Sequence, residues 1–376
     1  MNIRDPIHGQ IEFSDIEQEI IDCLDFQRLR QIRQVAMTYL VYPGAHHTRF
    51  EHSLGAMYLA SKIGQKIGLN SDELSQLRLC ALLHDVGHMP FSHDCESILS
   101  SKTGTHEQIG KKLITHGQIH DILSKNFDSK NIAQLMLGKS FGQVLTCDVG
   151  ADRLDYLLRD AHYTGVAYGV IDWSRIIAKM IYKSSKIQIE KGGLEATESV
   201  ILARFSMFHA VYYHHAVRIA RKMLQVALKN AINFEQLDPN SISRYNDNSL
   251  LDLLLKTKSS SALCTRLINR KLLKRAYVAN WASLKEDTKN YILSRDFETD
   301  LSKRCPSALV DIPSQFKSQV NVLINDNNVS RKLCDISSIS SSLESASLER
   351  ATMIVMCEKS NVKNVLSVAK KLLLSS

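Results

Sequence analysis

The sequence predicts a mainly α-helical fold with a smaller mixed α+β lobe at its C-terminal end. Two observations carry this. Apolar residues recur at three- and four-residue spacing through most of the first 235 positions, the period of helices with one buried face. Beyond about 235, serine, asparagine and aspartate increase, prolines stand at 239, 306 and 313, and the runs 320–324 and 352–356 read as strands. Residues 1–235 are therefore expected to form one helical core. Residues 236–376 are expected to form a lobe serving assembly or regulation.

The elements follow in order. Residues 2–13 read as a small hairpin, with Ile11 and Phe13 alternating after Asp5-Pro6-Ile7-His8-Gly9. Residues 15–36 place Ile16, Ile20, Ile21, Leu24, Phe26, Leu29, Ile32 and Val35 at helical spacing, with Arg28, Arg30 and Arg33 facing elsewhere. Pro43-Gly44 interrupts the chain and leaves His46 and His47 in a loop. Helices are expected over 52–67 and over 74–83, the second opening at Ser71-Asp72-Glu73. Thr105 is placed to cap a helix, and Gln108 completes a capping box. Over 148–161, Asp152, Tyr156 and Asp160 form one stripe, flanked by Asp155 and Arg159, while Leu154, Leu157 and Leu158 face a core. The longest helical pattern covers 196–230, where Arg204, Phe208, Tyr212 and His215 share a ridge. Segments 251–256, 265–275 and 282–294 read as helices, 336–347 as a serine-rich surface loop and 362–374 as a final amphipathic helix.

At 376 residues, 44% hydrophobic and 23% charged, the chain can bury a large core. No apolar stretch reaches the ~18 residues of a membrane span. The first residues carry an acid and a proline where a secretory segment needs an apolar run. Eight cysteines lack CxxC spacing, so reduced thiols and a cytoplasmic address are expected, with Cys80 a small core residue. The net charge of +8 suits either nucleic acid or a polyphosphate pocket. The basic residues are spread out. The densest run, Arg270 to Arg275, contains Leu272 and Leu273 and reads as an amphipathic face, which keeps nucleic acid a secondary partner.

One dipeptide organises the chemistry. His84-Asp85 ends the apolar run 77–83 and leads into Gly87-His88-Met89-Pro90, with His93 beyond. Burying an imidazole beside a carboxylate is costly unless something pairs them, and a divalent metal takes both donor types. His52, in Arg49-Phe50-Glu51-His52, and Asp152, in Ala151-Asp152-Arg153, complete a four-ligand set. Two imidazoles and two carboxylates suit Mn, Fe, Mg, Zn or Ni, and the nitrogens favour a transition metal over Mg. His88, His93 and His106 are candidate acid–base groups near neutral pH. Arg49, Arg153 and Arg204 are candidate phosphate partners. Each of these residues alone would be an ordinary helix-end histidine or helix charge; their co-occurrence carries the metal reading.

This set of motifs resembles the HD-domain phosphohydrolases, and within them the branch of deoxynucleoside triphosphate triphosphohydrolases. The matching stretches are Asp5-Pro6-Ile7-His8-Gly9, Phe26-Gln27-Arg28-Leu29-Arg30, Pro43-Gly44-Ala45, Arg49 to Gly55, His84 to His93, His106-Glu107-Gln108, and Asp152 to Tyr156 with Arg159-Asp160. They fall within about residues 4–220. The resemblance implies an HD-domain helical bundle within 1–235 and metal ligation by His52, His84, Asp85 and Asp152. It implies catalytic roles for His93, His88 and His106, with Glu96 orienting His93. It also implies substrate contacts from Arg49, Gln34, Arg153, Tyr156, Asp160, Arg204 and Tyr212. The implied reaction splits a dNTP into deoxynucleoside and triphosphate, and the implied assembly is a dimer or tetramer. Asp22, Gln27 and Arg30 match positions that bind a guanine-nucleotide activator in some members, whereas Arg4 departs from that pattern. Val35 stands where leucine is usual, and Arg153 and His215 where lysine is frequent. Two further readings share the same residues: a phosphatase or phosphodiesterase acting on another nucleotide or an oligonucleotide, and a nucleotide- or nucleic-acid-binding protein with little turnover.

Overall fold

A computed structural model describes residues 1–235, 237–313 and 320–374. β1 (Asn2–Asp5) and β2 (Gly9–Glu12) form the expected antiparallel hairpin. α1 (Asp15–Asp22) opens at a capping box between Ser14 and Glu17. The periodic stretch 15–36 is not one helix. The backbone is extended at Cys23 and again at Ile32, with short helical turns Leu24–Gln27 and Arg28–Gln31 between. Tertiary contacts override local propensity here. Phe26, Leu29 and Ile32 are all fully buried, and the Arg28 guanidinium donates to the carbonyls of Val86, His88 and Tyr245.

α2 (Arg49–Lys66) packs antiparallel against α3 (Ser71–Leu83), which Asn70 caps by accepting from the amides of Asp72 and Glu73. A tight turn follows, and then α4 (His93–Thr103) and α5 (His106–Thr115), the latter with the expected Thr105/Gln108 box. Short helices lead to α6 (Ala151–Thr164), which lies along α2. β3 (Met180–Lys183) and β4 (Lys186–Glu190) precede α7 (Leu194–Met207). The long pattern over 196–230 is then interrupted by a π-helical turn, Phe208–Tyr212, before α8 (His215–Phe234). Such turns displace a side chain from the helical ridge, and here Tyr212 reaches Asp160 instead of continuing the ridge.

α9 (Asp247–Lys256) and α10 (Lys258–Ile268) pack on α8. The expected helix over 265–275 ends at Ile268. Arg270 adopts φ +52°, and β5 (Lys274–Asn280) follows because it pairs with a later strand. Next come α11 (Glu286–Leu293), α12 (Asp296–Arg304), β6 (Leu309–Asp311), β7 (Leu323–Asp326) and β8 (Val329–Lys332). The strand expected over 320–324 starts only at Leu323. The serine-rich segment 336–347 is not a loop but most of α13 (Ser338–Glu349). Ser337 caps it, Ser347 returns its hydroxyl to the carbonyl of Leu343, and Leu343 packs on the core. β9 (Thr352–Cys357) and α14 (Val362–Leu374) close the chain as expected.

The sheets run β3-β4-β7-β8, with β4 and β7 parallel, and β5-β9-β6, all antiparallel. One apolar cluster joins Met89, Phe91, Cys95 and Leu99 to Met223 and Leu224 of α8 and Leu250 and Leu254 of α9. The turn before α4 is thus built partly on helices that follow residue 235. All eight cysteines are free thiols, Cys80 among the buried ones. No described helix is long and apolar enough to cross a membrane.

Candidate metal centre and active site

Three helices converge on one point. α2 contributes His52, the end of α3 leads to His84 and Asp85, and the first turn of α6 contributes Asp152. His52 Nε2 lies 3.1 Å from Asp152 Oδ1 and 3.7 Å from Asp85 Oδ2. His84 Nε2 lies 3.4 Å from Asp85 Oδ1 and 3.8 Å from Asp152 Oδ1. Ligand atoms of His52, His84 and Asp152 all fall within 4.8 Å of one another. All four predicted ligands therefore meet.

The donors fit a cation. His84 Nδ1 donates to the carbonyl of Ala81 at 2.7 Å, so Nε2 carries the lone pair, and that atom is buried without a hydrogen-bond partner. His52 Nδ1 is held at 2.8 Å by Asp155 Oδ2, which directs Nε2 toward the same point. A carboxylate behind a ligating imidazole fixes its tautomer and raises its basicity. Asp155 is itself anchored by His8 Nε2 at 2.6 Å and by Arg159, whose Nη1 also reaches Asp5. Asp155 and Arg159, which flank the Asp152–Tyr156–Asp160 stripe, are both fully buried.

A second cluster adjoins the first. His88, His93 and His106 also bring ligand-type atoms within 4.8 Å of one another. His88 Nε2 lies 3.2 Å from Asp85 Oδ1, and its ring stacks on His106 with centroids 4.1 Å apart. Glu96 holds both other imidazoles, His93 Nδ1 at 2.8 Å and His106 Nδ1 at 2.9 Å, and also accepts the His106 amide.

Comparisons with known proteins identify the family. Residues 49–160 match the HD domain family, and residues 171–374 match the HD associated region. The chain belongs to the HD-domain phosphohydrolase superfamily. An uncharacterized protein from Methanocaldococcus jannaschii is 37% identical over 96% of this chain and 80% of that protein. A Dictyostelium discoideum protein named deoxynucleoside triphosphate triphosphohydrolase SAMHD1 homolog is 31% identical, covering 66% of this chain and 54% of that protein. The solved structure of a hypothetical protein from Aquifex aeolicus aligns with TM-score 0.83 and 27% identity, over 98% of this chain and 99% of that one.

His84, Asp85 and Asp152 of the first cluster and all three histidines of the second line a cavity of about 1220 Å³ together with Gln34, Arg49, Tyr156, Asp160 and Tyr212, with His52 fully buried behind it. Arg49 is buried and spans from Ser92 Oγ at 3.0 Å to Asp85 Oδ2 at 2.6 Å. Gln34 Oε1 is buried without a partner. Asp160 accepts from Tyr212 Oη at 2.5 Å and pairs with His47 Nε2 at 2.7 Å. Arg153 and Arg204 stand apart from the rest. They do not line the cavity; both pair with Asp148, at 3.3 Å and 3.2 Å, and Arg153 also donates to the carbonyls of Thr146 and Cys147. His8, His47 and Asp155 were not assigned from the sequence. His8 lies inside the Asp5-Pro6-Ile7-His8-Gly9 stretch, whose role became visible only through its contact with Asp155.

Electrostatics follow from the packing. Burial disfavours a charged His52, but its hydrogen bonds to Asp152 and Asp155 outweigh it and push the metal-free imidazole up to about 10. Burial disfavours a charged Asp85, but Arg49, His84 and His88 hold it well below the usual carboxylate range. Burial, reinforced by Arg49, keeps His88 below its ordinary value and hence neutral. An incoming cation must displace the His52 proton. Mn²⁺ affinity should therefore strengthen by up to about tenfold per pH unit between about pH 6 and pH 8. Calorimetric titration across that range reads the slope, and a pH-independent constant would contradict a protonated His52.

Gly55 shows how little space this network leaves. A β-carbon there would overlap the Asp155 carboxylate and the Arg159 guanidinium. Gly55→Ala is expected to destabilise the fold by about 1–3 kcal/mol through overpacking. It should also weaken metal binding about 10- to 100-fold by displacing the partner of His52. Thermal melts and metal titration of the variant measure the two effects separately.

Proposed function

We propose that the protein is a metal-dependent hydrolase of deoxynucleoside triphosphates, releasing deoxynucleoside and inorganic triphosphate. The observation that carries the reading is the four-donor convergence of His52, His84, Asp85 and Asp152 next to a histidine cluster that lines the cavity. The name of the Dictyostelium relative supports the substrate class. When bound, a divalent cation supplies Lewis-acid polarisation of the α-phosphoryl oxygen and a more acidic water.

In this reading water attacks the α-phosphorus and the bond from phosphorus to the sugar 5′-oxygen breaks. Triphosphate keeps the water oxygen, and the deoxynucleoside leaves with a proton on its 5′-oxygen. His93 supplies that proton: Glu96 occupies its Nδ1, which leaves Nε2 for exchange. His106 shares the same carboxylate and stands as a relay partner. Neutral His88 orients Asp85. Arg49 places positive charge next to the site, while Gln34, Tyr156 and the Tyr212–Asp160 pair face the nucleoside. Arg153 and Arg204 contact phosphate only if they leave Asp148. Assembly into dimers or tetramers, and a regulatory role for residues 236–376, belong to the same proposal.

The test is a Mn²⁺-supplemented incubation with each dNTP and chromatographic identification of products. Triphosphate with deoxynucleoside is expected; four intact dNTPs would remove the substrate assignment. One observation favours a second reading. The cavity exceeds the roughly 300–1,000 Å³ of most small-molecule pockets, and the exposed side chains of Lys102, Lys111 and Lys229 stand on its lining. A short oligonucleotide substrate would use that space, so oligonucleotides belong in the same screen.

A further inference from the structure

Asp247 is completely buried, yet it lies outside the HD domain and in none of its motifs. It opens α9, and its carboxylate reaches the active-site wall from the associated region. Oδ1 accepts the Phe91 amide at 2.7 Å. Oδ2 accepts the Arg33 amide at 3.0 Å and Arg33 Nη1 at 3.3 Å. One carboxylate thus joins two loops: the one that presents Gln34 and the one that presents His93.

The turn it holds is strained. Phe91 and Ser92 both take left-handed backbone angles, φ +55° and +51°, and Ser92 has ψ −130°. Glycine occupies such angles readily and side-chain-bearing residues do not. Strain of this kind persists only where surrounding contacts over-determine it, and it concentrates at functional sites. The contacts are present. Ser92 Oγ donates to the Arg33 carbonyl at 3.3 Å and accepts from Arg49 Nε, and Arg28 ties the Tyr245 carbonyl to those of Val86 and His88. Burial pushes the Asp247 carboxyl above the ordinary carboxylate range, while the Phe91 and Arg33 amides pull it back.

We propose that Asp247 is a positioning residue, whose carboxylate fixes the Phe91–Ser92 turn against the Arg33–Gln34 backbone and thereby sets where His93 and Gln34 stand in the cavity. The catalytic consequence rests on the proton-donor reading of His93 given above; the geometric one does not.

Full-length Asp247→Asn and Asp247→Ala decide it. Asparagine keeps the shape and one acceptor for the Phe91 amide but offers donors toward Arg33, so it should fall between wild type and alanine. For Asp247→Ala, kcat should drop about tenfold or more, with KM and bound Mn²⁺ within about twofold of wild type. Amide exchange should quicken in peptides covering 31–36 and 89–94 and remain unchanged along α8 and α10. Unchanged exchange in both loops overturns the proposal. So does a kcat loss that tracks faster exchange throughout residues 215–268, because Asp247 would then be a general folding residue. If wild type turns over no dNTP, the substrate reading fails, and the exchange comparison still decides whether Asp247 holds the turn.

Discussion

Asp85→Ala is expected to abolish metal retention and hydrolysis together, lowering turnover by about three orders of magnitude or more. That exceeds the 10- to 100-fold typical of losing an outer partner, because Asp85 is one of the four proposed ligands. Its two oxygens lie 3.4 Å from His84 Nε2 and 3.7 Å from His52 Nε2, and Oδ2 also takes the Arg49 guanidinium at 2.6 Å. Alanine would leave Arg49 buried without its counter-charge, a loss of about 3–5 kcal/mol for a broken buried pair. Asp85→Asn separates the two effects. It keeps the volume and an acceptor for Arg49 but removes the anionic ligand, so its melting temperature should stay nearer wild type while bound metal and turnover collapse. Metal analysis beside product release checks both variants. Full turnover in Asp85→Asn would end the metal-centred account.

Glu96→Gln is expected to lower kcat by about 100-fold and to move the basic limb of the pH–rate profile to lower pH. Burial alone would raise the Glu96 carboxyl, but hydrogen bonds from His106 and His93 hold it far below its ordinary range. Burial alone would lower His106, but the hydrogen bond and charge of Glu96 raise it above its ordinary value. In the proposed relay a protonated His106 resupplies the donor, and that proton is lost as pH rises through the folded pKa of His106. Glutamine removes the charge that raised that pKa, so activity should fall away sooner on the alkaline side. Stability follows the same linkage. The Glu96 contribution is present above its ordinary value of 4.5 and is lost as pH falls toward the depressed folded value. The His106 contribution is present below its ordinary value of 6.5 and is lost as pH rises through the raised one. The variant's stability deficit should therefore be largest between those two ordinary values and should shrink at about pH 8.5. Melts at about pH 5.5 and about pH 8.5 measure this, and an equal deficit at both would contradict the coupling.

The helical class, the Thr105/Gln108 cap, the N-terminal hairpin and the convergence of His52, His84, Asp85 and Asp152 were all legible in the sequence. Each depends on local spacing or on a rare combination of donor residues, and burial of a His-Asp pair admits few solutions. The breaks at Cys23 and Ile32, the π turn at Phe208–Tyr212 and the serine-rich helix α13 were not legible. There, contacts with distant residues outweighed a propensity signal of a few tenths of a kcal/mol per residue. The same holds around the site. The pairing of Arg204 with Asp148, the support of His52 by Asp155 and His8, and the reach of Asp247 to Phe91 join residues far apart in the chain. The sequence alone determined which donors could share a cation. Only the tertiary structure decided which buried charges orient them, because hydrogen-bond partners separated by tens to hundreds of residues leave no periodic trace.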